Sequence, residues 1–172
     1  MPIRHSAKQR TKPASRRSDT RSMSDPAITV MCGGCRNRGR CRLGLGEITI
    51  IGDAAHAPVR CAPHFQAGPN VAHGGWTAAM FDDIIGRSLT QRGLRTVTGN
   101  LTVDFFNPVP VGEAMIVEVV TESRAGRRWT MQAMLRLERD PSPLARAIGV
   151  WVERREGHFE RHEAAMRDYR AR

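Results

Sequence analysis

The 172-residue chain is poor in aromatics, with three Trp, one Tyr and five Phe, and short of acids, with 17 Asp and Glu against 27 Lys and Arg. It has no apolar run near the ~20 residues a bilayer crossing needs, which excludes a helical membrane span. No apolar leader segment follows the first Met, so the expected location is cytoplasmic. Four cysteines without such a leader argue against a disulfide framework. No internal repeat is visible, so a solenoid is excluded.

The formal charge of +10 is unevenly spread. Residues 1–25 hold seven basic side chains and two acids, and the other 147 residues are only mildly basic. That N-terminal stretch has almost no large apolar side chains, and reads as a disordered basic tail. The charge excess is shared with an ordinary body and the tail lacks aromatics, so nucleic acid is disfavoured as a partner.

A folded domain is expected over residues 26–155. Its lead-in, 32–46, holds five glycines and reads as a loop. Glu47–Ile51 reads as a strand closed by Gly52-Asp53, Val59–Phe65 as a short irregular extended piece, and Gly68-Pro69-Asn70 as a turn. From Gly75 to Leu89 the pattern turns helical. At 100° per residue Trp76, Met80, Phe81 and Ile84 gather on one side, and Gly75, Ala78, Ala79, Asp82 and Gly86 on another. The second side is small residues around one carboxylate, a surface that lets another backbone approach closely. Asp83 lies off that face, four residues before Arg87, where an ion pair explains it.

After Gly93 four strands are expected: Val97–Phe106, Ala114–Thr121, Trp129–Leu137 and Leu144–Val152, with a hairpin turn at Arg124–Arg127. Residues 156–172 form a charged C-terminal tail with a short helix at 163–170. A single helix cannot cover both faces of such a sheet. The expected class is therefore α+β, a curved antiparallel sheet wrapped around one central helix, with a second chain covering what remains exposed.

His73-Gly74-Gly75 opens the helix and Asp82 lies nine residues after His73. Glycines let the backbone run close to a ligand, and free N–H groups at the positive end of a helix suit a developing oxyanion. Nine helical residues rise about 13 Å, so Asp82 cannot reach its own helix start. It serves the same substrate only if a second helix runs antiparallel beside the first.

The stretch Phe65–Gly86, with His73-Gly74-Gly75-Trp76-Thr77-Ala78-Ala79-Met80-Phe81-Asp82 at its centre, resembles the central-helix signature of hotdog-fold acyl-CoA thioesterases. The phenylacetyl-CoA thioesterase type is the most similar branch. Val97–Pro110, with its Pro108-Val109-Pro110 end, is similar to the strand that follows the helix in that family. The resemblance covers roughly residues 32–153. It implies hydrolysis of an acyl-CoA thioester, without a cofactor, in a homodimer or a dimer of dimers. Asp82 is the implied general base or nucleophile, the Gly75 N–H the oxyanion donor with Gly74 allowing close approach, His73 the motif histidine, and Thr98 the hydroxyl that holds the attacking water. An asparagine that some relatives carry six residues before the histidine is Ala67 here. Asn70 is then the nearest substrate-binding substitute, although the turn explains it slightly better. Trp76 is bulkier than in many relatives and implies a narrower acyl pocket. Arg124, Arg127 and Arg128 are candidates to hold the phosphates of CoA.

Two rival readings stand beside this one. A non-catalytic acyl-CoA-binding or regulatory hotdog protein fits the same signature, though Asp82 counts against it. The spacing Cys32-x2-Cys35-x5-Cys41-x19-Cys61 suits a structural zinc as a minor alternative, with His64 a competing ligand.

Overall fold

The computed structural model describes Cys35 and residues 39–172. The basic tail and Cys32 lie outside the described residues. In chain order the elements are β1 (Thr49–Ile51), β2 (Ala54–Val59), a single 3-10 turn (Pro63–Phe65), β3 (Gln66–Gly68), β4 (Val71–Ala72) and α1 (Gly74–Gln91). Then follow β5 (Thr96–Phe105), β6 (Met115–Ala125), β7 (Arg128–Leu137), β8 (Pro143–Glu153) and α2 (His158–Arg170).

Six strands form one antiparallel sheet in the order β1-β2-β6-β7-β8-β5, and β3 and β4 make a small separate pair. Alternation fixes which face is buried. Met115, Val117 and Val119 of β6 and Met131, Ala133 and Leu135 of β7 point inward, as period-2 side chains must. Their partners across the ladder keep the same sense: Val117 faces Leu135, and Ala133 faces Ala147. The β6–β7 hairpin closes through Gly126 at φ 58°, the left-handed conformation that a two-residue turn demands.

α1 lies on this inward face and fills it. Trp76, Met80, Phe81, Ile84, Ile85 and Leu89 are buried in the core, each worth roughly 1.5–3 kcal/mol of transfer free energy. The opposite stripe of α1 stays open: Gly75 and Ala79 are exposed, and Ala78, Asp82 and Gly86 are partly so. β5 is the sheet edge that reaches that stripe, through Thr98, and it contacts α1 more than any other strand does. At the end of β5, Phe105 and Phe106 are 54% and 48% exposed, apolar surface that a lone chain leaves in water.

Two expectations are corrected. β2 occupies residues 54–59, where no strand was expected, and Val59–Phe65 is the end of β2 followed by the 3-10 turn. Ala55, Ala57 and Val59 are buried and pair with Val119, Val117 and Met115 of β6. Alanine and Pro58 are weak strand formers alone, and pairing across the sheet overrides them. The C-terminal helix begins earlier than expected, at His158, and buries no side chain. Arg154 caps its Phe159 ring at 4.5 Å.

Candidate active site

The start of α1 is set by the segment before it. β3 and β4 bring the chain back to the 3-10 turn, and His73 N–H donates to Phe65 O at 2.7 Å. Ala72 N–H donates to Val109 O at 2.8 Å, tying this segment to the loop after β5. Asn70 sits at φ 59° in the turn between β3 and β4, a left-handed conformation that Asn tolerates better than other L residues. The turn accounts for Asn70.

His73 is the N-cap of α1, with its backbone extended at φ −63°, ψ 133°. Its carbonyl accepts from Trp76 N–H at 2.9 Å and Thr77 N–H at 3.2 Å. Its ring Nδ1 accepts from Gly75 N–H at 2.9 Å, which leaves Nε2 to carry the proton of the neutral ring. The donor singled out from the sequence is therefore already engaged inside the cap. A Cβ on Gly75 would lie 3.0 Å from His73 Nδ1, so glycine is what lets the ring fold over the helix start. Gly74 N–H, by contrast, has no partner among the described residues. It is the open donor at the positive end of an 18-residue helix.

Gly74 also lines a cavity of about 440 Å³, together with Val71, Ala72, Thr77, Phe105 and the loop 106–109. Thr77 was not singled out from the sequence. The residue borders this cavity, and its hydroxyl is fully buried with no hydrogen-bond partner among the described residues. A buried, unmade hydrogen bond costs about 1–3 kcal/mol. A threonine on the apolar side of a helix was the available signal. Trp76 does not line this cavity. It is 3% exposed, in the core, with Phe65 at 6.4 Å between ring centroids.

Asp82 lies in the middle of the open stripe. Thr98 Oγ1 donates to Asp82 Oδ1 at 2.5 Å, so β5 and α1 bring together the two residues that the family resemblance paired. Asp82 Oδ2 has no protein donor among the described residues. The neighbouring carboxylate is different in kind. Asp83 Oδ2 is 3.7 Å from Arg87 Nη1, and Cys41 Sγ donates to the same oxygen at 3.6 Å. Burial pushes the Asp83 carboxyl up, with Arg87 pulling it back down. Of the two adjacent acids, Asp83 is turned inward and partnered, and Asp82 faces the open stripe.

Among the described residues, Cys35, Cys41 and Cys61 do not gather into a metal-binding group. No group of three or more His, Cys, Asp and Glu side chains that could hold a metal exists among the described residues. Cys35 Sγ accepts from Arg42 N–H at 3.2 Å, and Cys61 Sγ contacts Ala62 O at 3.7 Å. At the β6–β7 hairpin two of the three arginines are engaged. Arg124 stacks on Trp129 at 4.5 Å and pairs with Glu153 at 3.1 Å, and Arg127 donates to Glu153 O.

Residues 69–143, which span β4, α1, the β5 edge, β6 and β7, match the family model of the thioesterase superfamily. The fold is the hotdog fold of thioesterase-superfamily structures. Among curated proteins it is 29% identical over 91 residues to acyl-coenzyme A thioesterase THEM4 of Xenopus laevis, covering 53% of this chain and 41% of that one. The chain thus spans less than half the length of that relative. Among solved structures, the E. coli PaaI protein from the phenylacetic acid degradation operon aligns with a TM-score of 0.61 at 16% identity, covering 71% of this chain and 85% of that one. A Streptococcus mutans protein solved with acetyl CoA aligns with a TM-score of 0.60 at 12% identity, covering 67% and 92%. At these identities the structural likeness concerns the hotdog fold. No described helix is long and apolar enough to cross a membrane.

Proposed function

We propose that this hotdog protein hydrolyses acyl-CoA thioesters as a homodimer, each active site being shared between two chains. The observation that carries the reading is the split set of groups on α1. An open N–H at Gly74 stands beside a cavity, and a carboxylate held by Thr98 stands two turns further on. Gly74 and Asp82 are eight residues apart, so about 12 Å of helix rise separates them. A second α1 packed antiparallel against the open stripe of small residues brings each Asp82 opposite its partner's Gly74. The exposed edge β5 and the exposed Phe105 and Phe106 support burial in the same contact.

The chemistry follows from the donors. The thioester carbonyl oxygen accepts from Gly74 N–H of one chain, beside the Thr77 hydroxyl. Asp82 of the other chain takes a proton from water, and the water oxygen attacks the carbonyl carbon. Thr98 fixes Asp82 through Oδ1 and leaves Oδ2 for the water. The tetrahedral intermediate collapses with cleavage of the C–S bond, and the proton on Asp82 passes to the departing CoA sulfur. His73 holds the helix start in shape through Gly75. Reassigning the oxyanion donor from Gly75 to Gly74 follows from the His73 cap.

The test is Asp82→Asn with acetyl-, octanoyl- and phenylacetyl-CoA, following thiol release. The reading expects cleavage of at least one by the wild type and a loss of at least 100-fold in kcat in the variant, as for removal of a general base. Near-wild-type turnover in folded Asp82→Asn overturns it. Wild-type protein that is stabilised by these acyl-CoAs yet cleaves none overturns it in favour of a binding protein.

A further inference from the structure

The cavity beside Gly74 narrows where one aromatic ring crosses it. Phe105 is the last residue of β5, and its register partner on β8 is the fully buried Ala145. Residues paired across a ladder share a face of the sheet, so Phe105 stands on the inward face, the one that carries α1. A Cβ placed on Gly74 would lie 3.5 Å from Phe105 Cζ and 3.8 Å from its Cε1. Those are ordinary contact distances between carbons. The gap between the Gly74 backbone and the ring is therefore a single carbon thick.

The backbone around this gap is pinned. Phe106 N–H and Asn107 N–H both donate to Leu144 O, at 2.9 and 3.1 Å. Asn107 Nδ2 donates to Pro143 O at 2.8 Å. On the other wall, Ala72 N–H donates to Val109 O, and Val71 is bridged to Pro110. Widening the gap by moving either backbone gives up these bonds. The Phe105 ring is 54% exposed, so the core depends little on it.

We propose that Phe105 is a specificity-determining residue, which restricts the acyl group to slim chains that are unbranched next to the thioester carbonyl. This rests on the hydrolase reading above, in which that carbonyl sits on Gly74 N–H. The first acyl carbons then pass between Gly74 and the Phe105 ring. A methylene chain fits a gap of that thickness. A branch on the carbon beside the carbonyl adds a second methyl, which displaces the ring or lifts the carbonyl off its donor. Val71, Ala72, Pro108 and Val109 give the rest of the chain apolar surface.

The experiment compares butyryl-CoA with its isomer isobutyryl-CoA, so that atom count and CoA are the same and only the branch differs. Thiol release and calorimetry are followed with the full-length protein. The wild type should favour butyryl-CoA in kcat/KM by about tenfold or more, the discrimination that a fitted apolar pocket gives for one misplaced carbon. In Phe105→Ala the two isomers should come within about threefold of each other, through a gain on isobutyryl-CoA that loss of a merely structural ring would not give. If that variant does not fold, Phe105→Leu decides, and the same gain is expected in smaller measure. Cleavage of no acyl-CoA by the wild type defeats the hydrolase reading. In that case, or if neither isomer is cleaved, the same comparisons are made on affinity and decide on Phe105 alone. Equal handling of the isomers by the wild type overturns the proposal. So do binding of neither isomer, an unchanged preference in the folded variant, and a preference lost only through weaker use of butyryl-CoA.

Discussion

Replacing Thr98 by valine removes one hydroxyl and keeps the shape of the side chain. In the structure that hydroxyl donates to Asp82 Oδ1 at 2.5 Å. Hydrogen bonds to charged groups contribute about 1.5–3 kcal/mol, and the low end applies here because Thr98 is exposed and Asp82 only partly covered. Losing about 1.5 kcal/mol of positioning in the transition state lowers kcat roughly tenfold, since each 1.36 kcal/mol is a factor of ten. KM should stay within about twofold, because Thr98 acts through Asp82 and not on the substrate. Thr98→Ser keeps the donor and should keep most of the rate. The assay is steady-state thiol release from the preferred acyl-CoA, with thermal unfolding as the check on folding. A Thr98→Val enzyme within twofold of wild type in kcat, or a Thr98→Ser enzyme as slow as Thr98→Val, refutes the reasoning.

Three further outcomes are expected. Gly149→Ala should lower Tm by several degrees in a thermal melt, because its Cβ would lie 2.3 Å from Asn100 O on the neighbouring strand and overpacking costs about 1–3 kcal/mol; an unchanged Tm contradicts this. Burial raises Asp83 above its ordinary value, so the native state keeps that proton to higher pH than the unfolded chain. Its contribution to stability is then full in acid and is lost as pH rises through the native value. The Tm of the wild type relative to Asp83→Asn should fall as pH rises above the ordinary carboxylate range, and a constant or rising difference contradicts it. Burial also pushes the Cys41 and Cys61 thiols up, so both should resist iodoacetamide at neutral pH in the folded protein and react once it is unfolded, as mass spectrometry would show.

The helix and the strands after it were legible because their periods are long and clean. Trp76, Met80, Phe81 and Ile84 repeat at 3.6 and are buried, and Met131, Ala133 and Leu135 alternate and are buried. β2 was not legible, because its inward residues are two alanines and a valine beside Pro58, and its pairing with β6 is a long-range contact. The pairing of Asp82 with Thr98 was visible only through the family likeness, since they are 16 positions apart and on different elements. Local pattern cannot say which of two adjacent glycines has an open N–H. That depended on the His73 ring turning back onto Gly75. Trp76 was expected in the pocket and is buried in the core, its indole N–H without a hydrogen-bond partner among the described residues. Arg87 was read only as the partner of Asp83. Its angular position between Trp76 and Met80 was the signal that it points inward.

In the proposed enzyme each active site is built from two chains, and mixing two inactive variants tests this. Asp82→Asn lacks the base, and Gly74→Val fills the approach to the open N–H beside Phe105. Dissociated and reassociated at equal amounts, half of the dimers are mixed, and each mixed dimer has one intact site of two. Thiol release should therefore recover to about one quarter of the wild-type rate, as a two-fold interface requires. A mixture as inactive as its two components, with exchange of chains confirmed, would contradict the shared site.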